Sequence, residues 1–393
     1  MAKFDFDKII DRRGSGAIKT DSLLERYGRK DLIPLWVADM DFESPPAITE
    51  AIIKRAEHAI YGYTKAPQGY YDSILNWVKK HHDWEIKQEW MSFIPGIVKG
   101  IAFVIDCFTT REDRVIIQQP VYHPFHIIPT LHHRDILNNS LILDSGQYNM
   151  DFEGLKRNLN SSCKIFILCN PHNPAGRVWT REELTELAEI CYDNNILVIS
   201  DEIHADLVYE NEGYKHIPFA SVSEKAAQNS ITFMAPSKTF NIAGIVSSFA
   251  IVPNENIRTK FYDYLEASEL DEAHIFAYIA TEAAYRGGEE WLDEVKEYIW
   301  GNISFVNEYL KKNIPQIKAI IPQASYLVWL DCRDLKLNQK DLVSLFVNES
   351  RLALNDGAIF GKEGEGFMRM NVGTSRKVLE EALNNLKIAV NNK

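Results

Sequence analysis

Short apolar runs alternate with amphipathic stretches between about residues 90 and 250 of the chain. This alternation is typical of strands that crossover helices join into a mostly parallel sheet. The candidate strands cover residues 114–118, 164–169, 196–200, 230–235 and 247–252. Thr180 followed by Glu183 forms a capping box, which predicts a helix over residues 180–193. The pattern therefore predicts an α/β domain.

The rest of the chain has a different pattern. Beyond about residue 255 the spacing becomes helical as far as Tyr285, and helical spacing returns over residues 291–312. Strands are predicted near residues 326–331 and 367–372, whereas residues 34–42 have the composition of an extended loop. We expect a large domain over residues 46–284, and a small α+β domain formed by residues 1–45 together with 285–393.

Composition excludes several classes of protein. The 393 residues are 46% hydrophobic and carry a formal net charge of -12, so they can build a sizeable core but have no basic stripe for nucleic acid. The longest stretch without Asp, Glu, Lys or Arg, residues 115–133, holds three prolines and four histidines and cannot span a bilayer. The first residues have no apolar core of a secretory signal, so we expect a cytoplasmic protein.

The cysteines and histidines do not suggest a metal site. Five cysteines are widely scattered and include no C-x-x-C pair, which argues against a disulfide framework and against zinc. The histidine pairs at 81–82 and 132–133, and His123 with His126, have no cysteine or carboxylate partners at ligand spacing. We expect no bound metal.

Lys238 is the most informative residue, because it follows a short apolar strand and lies among small and hydroxyl residues in the run FMAPSKTFN, residues 233–241. A desolvated lysine can lose its proton and attack a carbonyl, as Schiff-base chemistry with pyridoxal phosphate requires. The alternative is a lysine whose amine extends into solvent at a strand end. Other segments supply the remaining parts of such a site.

Two polar residues follow neighbouring predicted strands, at the sheet edge where open α/β proteins bind ligands. Asp201 could hold a pyridine nitrogen protonated, or it could only cap the helix that follows. Asn173 lies between two Asn-Pro turns in the segment NPHNP, residues 170–174, and could donate to a phenolate oxygen.

Further segments could bind a phosphate, a ring and a carboxylate. The backbone N–H groups of Ile97 and Val98, at the start of an apolar helix, could hold a phosphate, and Ser237 could add a hydroxyl. Tyr122 could stack on a flat ring or could belong to the core. Arg369, among apolar neighbours, has the planar fork that suits an α-carboxylate.

Together these segments resemble the fold-type I, aspartate-aminotransferase-like family of pyridoxal phosphate enzymes over essentially the whole chain. The runs PLWVADMDF (34–42), SDEIH (200–204) and APSKTFNIAG (235–244) look like the MalY/PatB carbon–sulfur lyase branch, which includes cystalysin. The resemblance implies the following roles: Lys238 as the Schiff-base lysine, Asp201 at the ring nitrogen, Asn173 and His204 at the phenolate oxygen, Tyr122 on the ring, and Arg369 at the substrate carboxylate.

The resemblance also implies a homodimer. Tyr63, or with less support Tyr61, resembles the tyrosine that the family's neighbouring subunit extends to the cofactor phosphate. The chain departs from many aminotransferases of this fold at Val246, where they carry an arginine that balances the phosphate, and at Ala235, where they carry a hydroxyl residue. His123 stands where some lyases have a second tyrosine.

The expected reaction is a β-elimination that converts an S-substituted cysteine, such as cystathionine, or cysteine itself, to a thiol or sulfide, pyruvate and ammonia. An aminotransferase is the enzymatic alternative, since the same site residues serve both reactions. A regulatory protein on the same fold, which binds another protein, is an alternative of another class.

Overall fold

The computed structural model describes residues 3–392. Its strands, in chain order β1 to β15, are Ile33–Pro34, Met91–Ile94, Arg114–Ile117, Asp135–Asn138, Ile142–Asp144, Gln147–Asn149, Cys163–Cys169, Leu197–Asp201, Ser230–Met234, Ser248–Ile251, Lys318–Ile320, Leu327–Asp331, Leu352–Ala353, Asn355–Asp356 and Phe367–Asn371. Its α-helices, α1 to α15, are Ile18–Asp21, Leu23–Tyr27, Pro46–Glu57, Gln68–His82, Ile97–Phe108, Pro124–Leu131, Phe152–Asn158, Arg181–Asp193, Glu224–Gln228, Pro236–Thr239, Glu255–Ala267, Ile275–Gly287, Glu289–Asn313, Gln339–Ser344 and Arg376–Asn391.

Within the described residues, seven strands form the central sheet in the order β2-β10-β9-β8-β7-β3-β4. The five strands from β9 to β4 are parallel, and β10 and β2 add two antiparallel pairings at one side. Every residue of β8, β9 and β10 is buried, as expected for strands that helices cover on both faces. The predicted mostly parallel α/β fold is confirmed.

Helices pack on both faces of this sheet. Helices α5 and α11 share one apolar cluster with the sheet, and α8 lies in the cluster on the other face. Helix α8 begins as predicted, because the Thr180 hydroxyl accepts from the Glu183 N–H while the Glu183 side chain accepts from the Thr180 N–H. The central core thus holds the strand ends in fixed relative positions.

A second sheet of the described chain has the order β11-β12-β15-β14 and is antiparallel. It lies in the part of the chain expected to form the small domain, and β1 pairs there with β13. The division into two domains itself stays a prediction. Among the described residues no helix is both long and apolar enough to cross a membrane.

Two strands of the central sheet were missed by the sequence pattern. Strand β4 has exposed polar residues at both ends, Asp135 and Asn138, because it is the edge strand, so no apolar run marks it. Strand β2 has only four residues and follows directly on a short turn of 3₁₀-helix. Short edge strands carry too little periodicity for such a pattern to show.

Candidate active site

The carboxyl ends of the parallel strands β7, β8 and β9 meet at one edge of the central sheet, and a cavity of about 190 Å³ lies there. Parallel strands place the residues that follow them at the same edge, which is why segments far apart in sequence converge. The cavity is lined by Ala38, Gly96, Ile97, Val98, Tyr122, Cys169, Asn173, Asp201, Ile203, His204, Ala235, Ser237, Lys238, Ala243, Val246, Ser247 and Ser248. All the predicted site residues except Tyr63 and Arg369 are in this set.

Lys238 lies on the short helix Pro236–Thr239 that directly follows β9. Its Nζ donates to the backbone carbonyl of Ala38 at 2.6 Å, so the amine is bonded inside the protein. Burial lowers the pKa of Lys238 to about 8, with a further lowering from the charge of Arg369 and an opposing effect of Asp39. About half of this amine is therefore unprotonated at a pH near 8, and a smaller fraction at neutral pH.

Asp201 is the last residue of β8 and is buried, with 5% of its surface exposed. Its Oδ1 accepts from the N–H of Ile203 at 3.1 Å, so the carboxylate also closes the turn after the strand. Burial raises the pKa of Asp201 to about 7, and the neighbouring charge of Glu202 adds to the rise. A cationic group facing this carboxylate would relieve the cost of ionising it.

Arg369 is buried on β15, and its guanidinium reaches across to the loop after β7. It donates to Asn173 Oδ1 at 3.0 Å, to the carbonyl of Trp36 at 3.0 Å and to Asn355 Oδ1 at 2.6 Å. Within residues 3–392 no carboxylate forms an ion pair with it, and its Nε has no hydrogen-bond partner. Burial lowers the pKa of Arg369 to about 10. A buried cation without an anion is suited to bind one.

The opposite side of the cavity is formed by the start of α5. Gly96 caps this helix with φ +105°, a backbone conformation that favours glycine, and its N–H donates to Ser248 Oγ at 3.0 Å. A Cβ at Gly96 would meet no described atom within 4 Å, so the space beside the helix start is open. The first N–H groups of a helix have no partner within it, and here they belong to Ile97 and Val98, which line the cavity.

The side chains of Tyr122 and His204 complete the cavity wall. The backbone N–H of Tyr122 donates to the carbonyl of Asn173 at 3.0 Å, which ties the two loops together, and His123 lies next to the Tyr122 ring. His204 is buried, and burial lowers its pKa to about 3, so the imidazole is neutral. Its Nδ1 has no hydrogen-bond partner among the described residues. That nitrogen is free to contact a bound group.

Tyr63 lies outside this cavity. Its side chain is fully exposed at 109% of the reference surface, whereas Tyr61 donates its hydroxyl to the carbonyl of Ala56 at 2.7 Å. The structure therefore does not bring Tyr63 together with Lys238 within one chain.

A backbone segment that the sequence did not reveal as part of the site borders the cavity at Ala38. We call residues 36–42 the strap. Its carbonyls accept hydrogen bonds from the Lys238, Arg369, Asn371 and Asn241 side chains, and Ala38 also accepts from the Tyr326 hydroxyl at 2.9 Å. Backbone carbonyls leave no signature in a residue pattern, so only the extended composition of this segment pointed to it.

These observations fit pyridoxal phosphate. One cavity is surrounded by a lysine with a lowered pKa, a buried carboxylate that forms no salt bridge with the described residues, an open helix start and a neutral histidine with a free nitrogen. The protein offers a group for three polar parts of that molecule. The lysine amine suits the aldehyde, the carboxylate suits the pyridine nitrogen, and the N–H groups of the helix start suit the phosphate.

Comparison with known proteins agrees with this geometry. Residues 30–386 match the model of the family described as aminotransferase class I and II, and the chain belongs to this family. It is 42% identical over 98% of its length to the whole of cystathionine beta-lyase PatB of Bacillus subtilis (strain 168). It is 30% identical to Protein MalY of Escherichia coli (strain K12), with 98% of this chain and 99% of that protein covered.

Among solved structures, cystalysin of Treponema denticola, which contains a pyridoxal 5'-phosphate cofactor, superposes with a TM-score of 0.95. The two chains are 34% identical, and 99% of each is covered. The resemblance to the fold-type I family and to its MalY/PatB branch is thereby confirmed.

Proposed function

We propose that this protein is a pyridoxal phosphate-dependent carbon–sulfur β-lyase, which converts an S-substituted cysteine to a thiol, pyruvate and ammonia. The observation that carries the proposal is that Lys238 and Asp201 line one cavity at the sheet edge, while Arg369 donates to Asn173 of the same cavity. Of the relatives named above, PatB carries a lyase name, and its 42% identity over 98% of this chain supports the lyase over the aminotransferase.

Lys238 would act twice in this reaction. Pyridoxal phosphate, when bound, supplies an aldehyde carbon for an amine and a pyridine ring that accepts the electron pair released at the substrate α-carbon. The Lys238 amine would hold the cofactor through that aldehyde carbon, and the substrate amine would take its place. The freed Lys238 Nζ then takes the α-proton, and the carbonyl of Ala38 at 2.6 Å is the acceptor that orients it.

The residues around Lys238 would set the charge and the position of the reacting groups. Asp201 holds the proton on the pyridine nitrogen, and a pyridinium is the cation that its buried carboxylate lacks. Asn173 and His204 would bind the phenolate oxygen, and Tyr122 would stack on the ring. Ser237, together with the helix start at Ile97 and Val98, binds the phosphate.

Arg369 would orient the substrate. Its guanidinium binds the α-carboxylate and so directs the Cα–H bond toward Lys238. When the α-proton has left, the bond between Cβ and sulfur breaks and its electron pair leaves with the sulfur. The released aminoacrylate takes up water to give pyruvate and ammonia, so neither an oxidant nor a keto acid is consumed. We propose cysteine S-conjugates in general as substrates, cystathionine among them.

A second copy of the chain would complete the site. The exposed Tyr63 is the residue we propose to reach the phosphate bound by the neighbouring subunit. Mixing subunits tests this proposal: Lys238→Ala and Tyr63→Ala homodimers each have two defective sites, but their heterodimer has one intact site if Tyr63 acts on its neighbour. Random exchange would then restore about one quarter of wild-type activity. Absence of any gain would contradict the proposal.

The function itself is tested by adding cystathionine to the cofactor-loaded protein, with lactate dehydrogenase to report pyruvate and with no keto acid present. Continuous pyruvate release from one substrate is the expected result. Conversion that needs a keto acid would instead indicate an aminotransferase. The cytoplasmic location stays a prediction from the sequence.

A further inference from the structure

Next to the lysine, but outside the cavity lining, lies a hydrogen-bond cluster that the reaction does not use. We call Trp77, His82, Asp206 and Thr239 the Asp206 clamp. The Asp206 carboxylate accepts from Trp77 Nε1 at 2.8 Å and pairs with His82 Nε2 at 2.8 Å, both through Oδ1, and accepts from the Thr239 hydroxyl at 2.7 Å through Oδ2. Trp77, His82 and Thr239 are buried, and the Asp206 side chain has 7% of its surface exposed.

The carboxylate of Asp206 is charged. Burial alone would raise its pKa, but the hydrogen bond and the charge of His82, together with the bonds from Trp77 and Thr239, lower the pKa of Asp206 to about 2. Hydrogen bonds to a charged buried acceptor are among the strongest in a protein, and leaving such an acceptor without a donor is costly.

The clamp joins two segments that carry site residues. Asp206 lies five residues after Asp201 and two after His204, whereas Thr239 directly follows Lys238. The hydrogen bond from Thr239 to Asp206 therefore ties the Lys238 turn to the segment that holds Asp201. On its other side, that turn is tied to the strap by Asn241, whose Nδ2 donates to the carbonyls of Met40 and Phe42.

We propose that the Asp206 clamp is a positioning device, in which Thr239 and Asp206 hold Lys238 at the distance from Asp201 that the reaction needs. Neither Thr239 nor Asp206 lines the cavity, so both would act through Lys238. The proposal deepens the proposed function and rests on it, because it assigns Lys238 the role given above. Displacing a reacting group by about 1 Å can cost about a hundredfold in rate.

The test compares variants that differ only in the donor. Thr239→Val keeps the shape and removes the hydroxyl, and Thr239→Ser keeps the hydroxyl. Thr109→Val is the matched control, because Thr109 is buried at the far end of α5 and its hydroxyl also bonds within the protein. Each apoprotein is mixed with pyridoxal phosphate, reduced with borohydride at intervals and digested, and mass spectrometry gives the fraction of Lys238 that carries the cofactor.

We expect Thr239→Val to form the Lys238 adduct about tenfold more slowly than wild type, and to lower kcat roughly tenfold to a hundredfold with KM within about twofold. Thr239→Ser and Thr109→Val should stay within about twofold of wild type in both measurements. Equal rates for Thr239→Val and Thr109→Val would overturn the proposal, as would a Thr239→Ser variant that is as slow as Thr239→Val.

If Thr239→Val does not fold, Trp77→Phe tests the same clamp, since it keeps an aromatic ring and removes one of the three donors to Asp206. Adduct formation about threefold slower is expected, and an unchanged rate would overturn the proposal. Failure of the proposed function is distinguishable: wild type would then form the Lys238 adduct yet release no pyruvate, and the clamp would still be judged by adduct formation.

Discussion

Replacing Asp201 with Asn should stabilise the apoprotein while it disables the enzyme. Asp201→Asn removes the charge but keeps an oxygen that can accept from the Ile203 N–H, the one hydrogen bond that the carboxylate makes in the structure. The substitution therefore isolates the charge of a buried carboxylate. Among the described residues of the cofactor-free protein, Lys238 is the one cation that lowers the pKa of this carboxyl group.

The magnitude follows from the pKa. Burial raises the pKa of Asp201 from 3.8 to about 7 in the folded protein, roughly three pH units at 1.36 kcal/mol each, or about 4 kcal/mol. Because the folded state holds this proton more tightly than the unfolded chain, the free energy of unfolding falls as pH rises from about 4 to about 7. Above pH 7 the wild-type protein bears the full cost of ionising the buried Asp201. The Asn variant has no charge at this position and does not bear this cost.

The assay is urea unfolding of the two apoproteins at equal protein concentration, at pH 8 and at pH 4.5. Asp201→Asn should be more stable than wild type by up to about 4 kcal/mol at pH 8, and most of the difference should vanish at pH 4.5. The cofactor-loaded variant should lose activity about a hundredfold or more, because the pyridine nitrogen loses its anionic partner. A variant no more stable than wild type at pH 8 would refute the reasoning.

Three further outcomes are expected. Arg369→Lys keeps the charge but loses the fork that holds Asn173 and a carboxylate, so kcat/KM should fall about a hundredfold, mostly through KM in steady-state assays; an unchanged KM would argue against carboxylate binding. Gly176→Ala should lower the free energy of unfolding by about 2 kcal/mol or more, since Gly176 has φ +65° and a Cβ there would lie 2.3 Å from Pro322. Gly213→Ala, at φ +87° with no described atom within 4 Å, should cost only about 1 kcal/mol, and equal costs would show that crowding plays no part. Formation of the Lys238 adduct in the apoprotein should rise with pH around a midpoint near 8, the pKa that burial gives this amine; a midpoint near 10 would indicate a solvated lysine.

Much of the architecture could be predicted because buried parallel strands leave continuous apolar runs. Strands β7 to β10 were placed to within a residue or two, and the capping box at Thr180 marked the start of α8. The sequence could then predict that Lys238, Asp201 and Asn173 lie close together, since residues after parallel strands share one edge of the sheet. The roles assigned to them stay predictions.

Other features depend on contacts that no residue pattern encodes. Lys238 bonds a backbone carbonyl 200 positions away, and the strap contributes carbonyl oxygens rather than side chains. Asp206 looks like an ordinary polar residue in the sequence, because its three donors come from segments as distant as Trp77 and Thr239. That Arg369 has no carboxylate partner among residues 3–392 could likewise be seen only once its contacts were known.

The most direct test of the central claim is the product balance of Lys238→Ala against wild type. Cofactor-loaded protein is given cystathionine without a keto acid, and pyruvate, ammonia and thiol are measured together. Lys225→Ala is the control, because that lysine has 41% of its side chain exposed and forms an ion pair with Asp193 on the surface. We predict equal amounts of the three products from wild type and Lys225→Ala, and none from Lys238→Ala. Pyruvate release by Lys238→Ala at the wild-type rate would contradict the account.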